Sequence, residues 1–219
     1  MNKNGTNYIF PLITQKTEEG IRFCLESKAS DCGVILYDRA TGRELERIPF
    51  EECDRIGNLY CKTVRGYEAS GISYLYYSDS ELITDPRATG LVSQRQYGSP
   101  VKEPLKAVIN DSDYDWGNDK HPRLKFEDSF FYLLHVRGFT KSPSSGVKHK
   151  GTFAGIAEKL DHLSSLGITA IELQPAYEFI ETQCGPKIEP SYGYRVSKPL
   201  QEIPGKLNYW GYKPGYYYA

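Results

Sequence analysis

The chain has 219 residues, of which 39% are hydrophobic and 25% charged, and its 27 basic and 28 acidic residues nearly cancel. This length allows one or two domains, and the charge balance argues against nucleic acid or an anionic membrane as a partner. No apolar run reaches the ~20 residues of a membrane helix, and no apolar signal segment follows Met1, so we expect a cytoplasmic protein with no membrane partner.

Residues 1–90 have the pattern of short β-strands separated by turns. Apolar residues alternate with other residue types in the first candidate, and the segment Asp38–Arg43 has turn chemistry, with Gly42 able to adopt positive φ. The strand candidates in chain order are Ile21–Leu25, Val34–Tyr37, Leu45–Phe50, Leu59–Val64 and Ile72–Tyr77. Repeated short strands of this kind predict a β-sandwich.

Residues 91–127 are predicted to connect this domain to the next. The stretch contains several prolines and glycines and the acidic segment Asn110–Asp115, a composition typical of a surface connection. We expect Trp116 to pack at the junction, and a sugar-binding platform is the alternative for this side chain.

From residue 128 the pattern becomes that of a parallel α/β domain. The near-continuous apolar run Phe130–Val136 is typical of a strand that is buried on both faces. A helix is predicted from an N-cap at Thr152 to a stop at Gly167, and Ile168–Leu173 is predicted as a second strand. The residues expected on the apolar face of the helix are Phe153, Ile156, Leu160 and Leu163. Strand, helix and strand together predict a βαβ unit with parallel strands.

Residues 178–206 are predicted to form a long irregular loop. The stretch is rich in proline and glycine, and a loop of this length in a compact domain is usually functional or disordered. We expect Glu178 and Glu181, at its start, to be solvated charges. The loop follows the second strand, and so it lies on the side on which barrel enzymes carry their active sites.

The cysteines and histidines do not predict a metal site or a cofactor. The five cysteines include no CxxC pair, and we expect free thiols in a reducing compartment. The two eight-residue spacings, Cys24 to Cys32 and Cys53 to Cys61, leave disulfides or a metal open as the alternative. The four histidines are far apart in sequence.

Several short motifs then occur in a recognisable order. The segment Phe131–Thr140 resembles the first barrel strand of the α-amylase family, glycoside hydrolase family thirteen, and most closely its pullulanase and isoamylase-type debranching members. Gly151–Gly155 and Leu166–Pro175 resemble the first helix and the second strand of these enzymes, and Asn208–Tyr212 resembles a motif that follows. Upstream, Tyr74–Ala88 resembles the end of the immunoglobulin-like glucan-binding domain that precedes the barrel.

The resemblance implies a multi-domain β plus α/β fold. Residues 1–90 would be an immunoglobulin-like β-sandwich similar to a glucan-binding module, and 91–127 the connecting segment. Residues 128–219 would be the first βαβ portion of a (β/α)₈ TIM barrel. Such a barrel needs about 250 residues, so we expect it to be incomplete here and to self-associate through its unpaired strand edges.

The resemblance also implies a binding role for aromatic residues. Tyr212 matches the family tyrosine that stacks against the sugar at the cleavage point, and Tyr209 and Trp210 are expected to shape the same pocket, with packing in the barrel as the alternative. We expect His135 to pack or to form hydrogen bonds at the barrel mouth, without a general-base role. The family's catalytic carboxylates come from later strands, and we assign no catalytic residue in this chain.

These expectations lead to one main hypothesis and two alternatives. The chain would be the N-terminal portion of an α-glucan debranching hydrolase that cleaves α-1,6 linkages in starch, glycogen or pullulan by a retaining two-carboxylate mechanism. By itself it would be inactive. The alternatives are a non-catalytic α-glucan-binding module and a glucan-branching transferase, which shares the same architecture.

Overall fold

A computed structural model describes residues 13–92, 97–99, 101, 103–110, 114–185, 201–212 and 215–219, and only the backbone of 183–185 and 201–206. The chain divides into two compact units, one of residues 1–113 with 216–219 and one of residues 114–215. Much of the predicted loop, residues 186–200, lies outside the described residues.

The described part of the first unit contains two antiparallel sheets of four strands each. Its strands are β1 (Gln15–Thr17), β2 (Gly20–Glu26), β3 (Cys32–Asp38), β4 (Glu44–Pro49), β5 (Arg55–Ile56), β6 (Leu59–Val64), β7 (Ile72–Ser78) and β8 (Glu81–Ile83). One sheet has the strand order β1-β2-β6-β5 and the other β4-β3-β7-β8. All five strands predicted from the sequence are present, and the N-terminal β domain is confirmed.

The two sheets enclose one hydrophobic core. Alternate residues of β2 and β6 on one side and of β3 and β7 on the other point inward, because successive side chains of a strand face opposite sides. The largest side chains that are almost completely buried there are Phe23, Tyr60, Tyr74 and Tyr76. Burial of each stabilises the fold by about 1.5–3 kcal/mol, which makes this core the main source of the unit's stability.

Polar groups inside this core are paired. The Asp85 carboxylate accepts hydrogen bonds from the Tyr74 hydroxyl at 2.7 Å, the Thr14 hydroxyl at 3.2 Å and the Arg87 backbone N–H at 2.8 Å. The hydroxyl of Tyr76 accepts the Cys24 backbone N–H at 3.0 Å. Each buried acceptor or donor left unpaired would cost about 1–3 kcal/mol, so these bonds fix the position of the segment that follows β8.

The second unit begins with the predicted βαβ unit. Strand β9 (Phe131–His135) is followed by three short helices, α1 (Val136–Thr140), α2 (Phe153–Ala157) and α3 (Leu160–Ser165), and by strand β10 (Ala170–Gln174). Strands β9 and β10 are parallel, with Phe131 opposite Ala170 and His135 opposite Gln174. The βαβ prediction is therefore confirmed.

The predicted helix is interrupted. Thr152 is its N-cap, with Oγ1 accepting the Gly155 N–H at 3.1 Å, and Gly167 ends it with φ of 78°. Between α2 and α3, however, the Lys159 N–H bonds to the Ile156 carbonyl at 2.8 Å, a tighter turn that changes the phase of the apolar face. Ile156 before this turn and Leu163 after it are buried, whereas Phe153 and Leu160, predicted on the same face, are exposed.

Burial of β9 on both faces was also predicted, and this prediction is wrong. Leu134 packs against Ile156 and Leu163 of the helices, but Phe131 and Leu133, on the opposite face, are 56% and 55% exposed. In the part of the chain that the structure describes, β10 is the only strand beside β9, and the helices cover one face only. Among the described residues, the second face has ring contacts only at its ends, Phe131 with Phe126 at 5.6 Å and His135 with a ring of a later loop, and Leu133 between them stays exposed.

Three further predictions need correction. The loop predicted over 178–206 contains strands at both ends: β11 (Glu178–Phe179), β12 (Thr182–Gly185) and β13 (Gln201–Leu207), followed near the end of the chain by β14 (Gly215–Tyr216). Strands β12 and β13 pair antiparallel.

Trp116 is not packed but 68% exposed, with its ring meeting Tyr114 edge-on at 4.8 Å. Glu178 is half-buried rather than solvated.

Candidate functional site

The three aromatic residues singled out in the sequence lie in one short loop after β13, and His135 joins them from the end of β9. The ring of Tyr209 stacks on His135 with centroids 4.2 Å apart and planes 8° from parallel. The ring of Trp210 meets that of His135 edge-on, with centroids 5.2 Å apart. The rings of Trp210 and Tyr212 lie 4° from parallel, with centroids 6.3 Å apart. We call these four residues, His135, Tyr209, Trp210 and Tyr212, the aromatic cluster.

Both ring nitrogens of His135 are engaged, which fixes the position of Tyr209. Nδ1 accepts the backbone N–H of Gly138 at 3.0 Å, so in the neutral ring Nε2 carries the hydrogen. Nε2 then donates to the Tyr209 carbonyl at 2.8 Å. His135 thus holds the Tyr209 backbone in place, and the expectation that it has no general-base role stays a prediction.

The loop that carries the cluster is held by Asn208. Its side-chain N–H donates to the Ile180 carbonyl at 2.9 Å, and its side-chain oxygen accepts the Gly211 N–H at 3.1 Å. The backbone N–H of Asn208 donates to the Glu181 carbonyl at 2.8 Å. Two of these bonds join the loop to residues 180–181, between β11 and β12, and the third closes the turn within the loop that carries the aromatic rings.

Gly211 allows the turn between Trp210 and Tyr212. Its φ of 70° lies in the left-handed region, which residues with a Cβ rarely adopt. A Cβ at this position would also lie 2.9 Å from Cγ of Pro175 and 3.0 Å from Cδ1 of Phe179, closer than such atoms normally approach. Glycine is therefore required both by the backbone and by the close packing beneath the loop.

The exposed rings suit a flat, partly apolar ligand. Trp210 and Tyr212 are 52% and 51% exposed, although aromatic side chains of this size usually lose most of their surface to packing. A sugar ring has an apolar face of C–H groups that packs on an aromatic face, while its hydroxyls reach polar neighbours. An aromatic face also stabilises a nearby positive charge through its quadrupole.

Acidic groups near this loop differ in environment. Burial raises the pKa of Glu178, and the backbone N–H of Phe179, which donates to its carboxylate at 3.3 Å, opposes that shift. Glu172 in β10 is exposed. Glu178 is therefore a half-buried carboxyl group whose pKa is raised above its ordinary value.

The described residues contain one group of potential metal ligands, Glu51, Cys53 and Asp54, whose ligand atoms lie within 4.8 Å of one another. It lies on the surface of the first unit, and the Asp54 carboxylate is bound by the Lys62 ammonium at 2.9 Å. That cation already neutralises the carboxylate, so the group carries no metal assignment. Among the helices of the described residues, none has the length and apolarity to cross a bilayer.

Comparison with known proteins identifies relatives of this architecture. Isoamylase 1 of Arabidopsis thaliana, a chloroplastic protein, is 31% identical over 221 residues, which cover 89% of this chain. The glycogen debranching enzyme of Pectobacterium atrosepticum is 33% identical over 137 residues, 61% of this chain. The apo pullulanase of Paenibacillus barengoltzii superposes with a TM-score of 0.61 and 27% identity over 78% of this chain. The chain belongs to the isoamylase and pullulanase group of the α-amylase family.

The match is to one part of these debranching proteins. The chain spans 27% of the plant isoamylase, 18% of the bacterial glycogen debranching enzyme and 27% of the pullulanase. A mutant of the same pullulanase, solved as a complex with maltotriose, has the same TM-score of 0.61. No family model matches the chain. The family resemblance proposed from the sequence motifs is thus confirmed by these comparisons.

Proposed function

We propose that the protein containing this chain is an α-glucan debranching hydrolase that cleaves α-1,6 linkages in starch, glycogen or pullulan. The observation that carries the proposal is the exposed aromatic cluster at the carboxyl ends of two parallel strands, in a chain related to isoamylases, glycogen debranching enzymes and a pullulanase. In this proposal residues 128–219 form the first part of a (β/α)₈ barrel, residues 1–90 an immunoglobulin-like domain similar to a glucan-binding module, and 91–127 the connection.

Within that proposal, Tyr212 stacks against the glucose unit at the scissile bond. Its ring covers the apolar face of the sugar and stabilises the positive charge that develops on the sugar ring as the bond breaks. Tyr209 and Trp210 shape the same pocket, and His135 holds Tyr209 through the stacked rings and the bond to its carbonyl. A related pullulanase was solved as a complex with maltotriose, which supports an α-glucan as the ligand of the protein that contains this chain.

The chemical step requires two carboxyl groups about 5–5.5 Å apart in a retaining mechanism, one as nucleophile and one as acid and base. We propose that these groups come from later strands of the same barrel, outside this chain. What the described residues contribute is therefore positioning: the aromatic cluster orients the sugar ring, and the bonds of Asn208 and the tight turn at Gly211 keep the rings in place.

The test is hydrolysis of pullulan by the protein that contains this chain, followed by product analysis. Release of reducing ends with maltotriose as the product supports the proposal. Transfer of glucan segments without a net gain in reducing ends would instead identify a branching transferase, and binding without any product would identify a glucan-binding module. The cytoplasmic location stays a prediction; the plant isoamylases are chloroplastic by name, and cell fractionation would separate the two locations.

A further inference from the structure

Two cysteines of the first unit lie directly opposite each other on neighbouring strands. Cys24 of β2 pairs with Cys61 of β6 in the antiparallel register, and their sulfur atoms are 2.7 Å apart. The eight-residue spacings noted in the sequence do not predict this pairing, because it joins residues 37 positions apart. The cysteines whose side chains are described, Cys24, Cys32, Cys53 and Cys61, are free thiols in this structure.

The backbone geometry at this pair suits a covalent bond. The Cys24 N–H points away from β6 and donates to the Tyr76 hydroxyl at 3.0 Å, so Cys24 and Cys61 form a pair that exchanges no backbone hydrogen bonds. In antiparallel sheets such pairs have the shorter Cα separation, about 4.5 Å, which lies within the range of about 4.4–6.8 Å found for disulfides. Strands β2 and β6 therefore need little movement to bring the sulfurs to bonding distance.

The two sulfurs differ in their surroundings. The hydrogen bond between the two sulfurs lowers the pKa of Cys61, as do the positive charges of Arg22 and Arg87, while partial burial opposes the shift. That hydrogen bond and burial raise the pKa of Cys24. Arg22 is two residues from Cys24 on the same strand, and its Nε is buried without a hydrogen-bond partner among the described residues, so it favours a nearby anion.

The pair can be reached from the surface through Cys61. Cys61 is half-exposed at the surface of its sheet. Cys24 is buried in the sheet but lines an open cavity of about 340 Å³, together with Glu26, Asp85 and Arg87. A small oxidant such as hydrogen peroxide can therefore reach the pair without unfolding of the β domain.

We propose that Cys24 and Cys61 form a reversible oxidation site that closes as a cross-strand disulfide between β2 and β6. The Cys61 thiolate attacks one oxygen of hydrogen peroxide, the O–O bond breaks, and the departing hydroxide takes up a proton, leaving Cys61 as a sulfenic acid. Cys24 then attacks the Cys61 sulfur, the S–O bond breaks, and the second oxygen leaves as water with the Cys24 proton. Two thiols lose two hydrogens, and peroxide is reduced to two waters. A dithiol reductant reverses the reaction by exchange.

Cys53 provides the internal control. It is exposed, but the charges of Asp54 and Glu51 and a hydrogen bond to the Glu51 carboxylate raise its pKa, with partial desolvation acting in the same direction. If exposure alone determined oxidation, Cys53 would react first. Because the thiolate is the reactive form, we expect Cys61 to react before Cys53.

Trypsin resolves these outcomes without any variant, because each cysteine falls in a different tryptic peptide. Cys24 lies in Phe23–Lys28, Cys61 in Ile56–Lys62 and Cys53 in Ile48–Arg55. The protein is treated with hydrogen peroxide, its remaining thiols are blocked with N-ethylmaleimide, and the digest is analysed by mass spectrometry without reduction. The proposal predicts a linked pair of the first two peptides that disappears on treatment with dithiothreitol, while Cys53 remains available to the blocking reagent.

Two variants and a melting curve complete the test. Cys53→Ser is expected to form the link at the wild-type rate, and Cys61→Ser to abolish it. Oxidation of the wild-type protein should raise the Tm of the β domain by roughly 10 °C, because the bond closes a long loop in the unfolded chain, and dithiothreitol should reverse the increase. Faster oxidation of Cys53, a link between any other two cysteines, or absence of the linked peptide would overturn the proposal.

Discussion

Replacing Gly211 with alanine adds a methyl group beneath the aromatic cluster. The new Cβ would lie 2.9 Å from Cγ of Pro175 and 3.0 Å from Cδ1 of Phe179, and φ at this residue is 70°. Two separate costs therefore arise, one from the backbone conformation and one from crowding. The second cost is the one that reports on how tightly the cluster is held.

A matched control separates these costs. Gly146 has φ of 69°, nearly the same as Gly211, but no atom lies within 4 Å of a Cβ placed there. Alanine in the left-handed conformation costs about 1–2 kcal/mol at either position. Crowding in a packed site adds about 1–3 kcal/mol, so Gly211→Ala should destabilise the second unit by about 2–5 kcal/mol and Gly146→Ala by about 1–2 kcal/mol.

Urea unfolding followed by tryptophan fluorescence measures the difference. The chain has two tryptophans, so a Trp116→Phe background leaves Trp210, within the cluster, as the reporter. The two glycine variants are compared in that background by their midpoints at equal slope. Equal losses of stability in the two variants would refute the argument that Pro175 and Phe179 hold the loop in place.

Three other predictions concern the two units separately. Hydrogen bonds from two backbone N–H groups hold the pKa of Glu158 at about 2, below its ordinary 4.5. Its contribution to stability is therefore complete above pH 4.5 and is lost as the pH falls towards 2. Urea unfolding of Glu158→Gln across this pH range should show a weaker pH dependence than unfolding of the wild type. The exposed side chains of Phe131 and Leu133 should cause concentration-dependent self-association of the chain, which sedimentation velocity would detect and which Leu133→Lys should reduce. Asp85→Ala should lower the unfolding free energy by about 2–4 kcal/mol because it leaves the buried Tyr74 hydroxyl without its acceptor, whereas unchanged chemical denaturation would show that this bond contributes nothing.

Much of the β domain could be predicted because its signals are local. Alternation along Ile21–Leu25 and the turn chemistry of Asp38–Arg43 each depend on neighbouring residues; in the structure, the Asp38 carboxylate accepts hydrogen bonds from both the N–H and the hydroxyl of Thr41 at 2.7 Å. The very short strands β1, β5 and β8 were not predicted, since two or three residues carry no detectable period.

What failed depended on partners distant in sequence. The apolar composition of β9 predicted a strand, and this prediction is confirmed. Burial of the second face of β9 depends on which elements lie beside it, and the composition of the strand carries no information on those elements. The pairing of Cys24 with Cys61 follows from the register of two strands 37 residues apart. The stacking of His135 on Tyr209 joins residues separated by 74 positions.

The candidate site was located in the sequence by motif resemblance rather than by chemistry. The structure brings Tyr209, Trp210 and Tyr212 together with His135, and their role in binding sugar stays a prediction. The roles of Asn208 and Gly211 were missed, although both lie inside the quoted motif. The glycine between two large aromatic residues is the signal in the sequence that indicates positive φ at this turn.

The most direct test of the central claim compares Tyr212→Phe with Tyr212→Ala in the protein that contains this chain, using pullulan as substrate. If the ring stacks on the sugar at the cleavage point, phenylalanine should keep kcat/KM within a few-fold of the wild type. Alanine should lower it by about 10- to 100-fold, the equivalent of about 1.4–3 kcal/mol of lost ring contact. Equal activity of the alanine variant and the wild type would contradict a stacking role, and a phenylalanine variant as impaired as the alanine variant would assign the role to the hydroxyl instead of the ring.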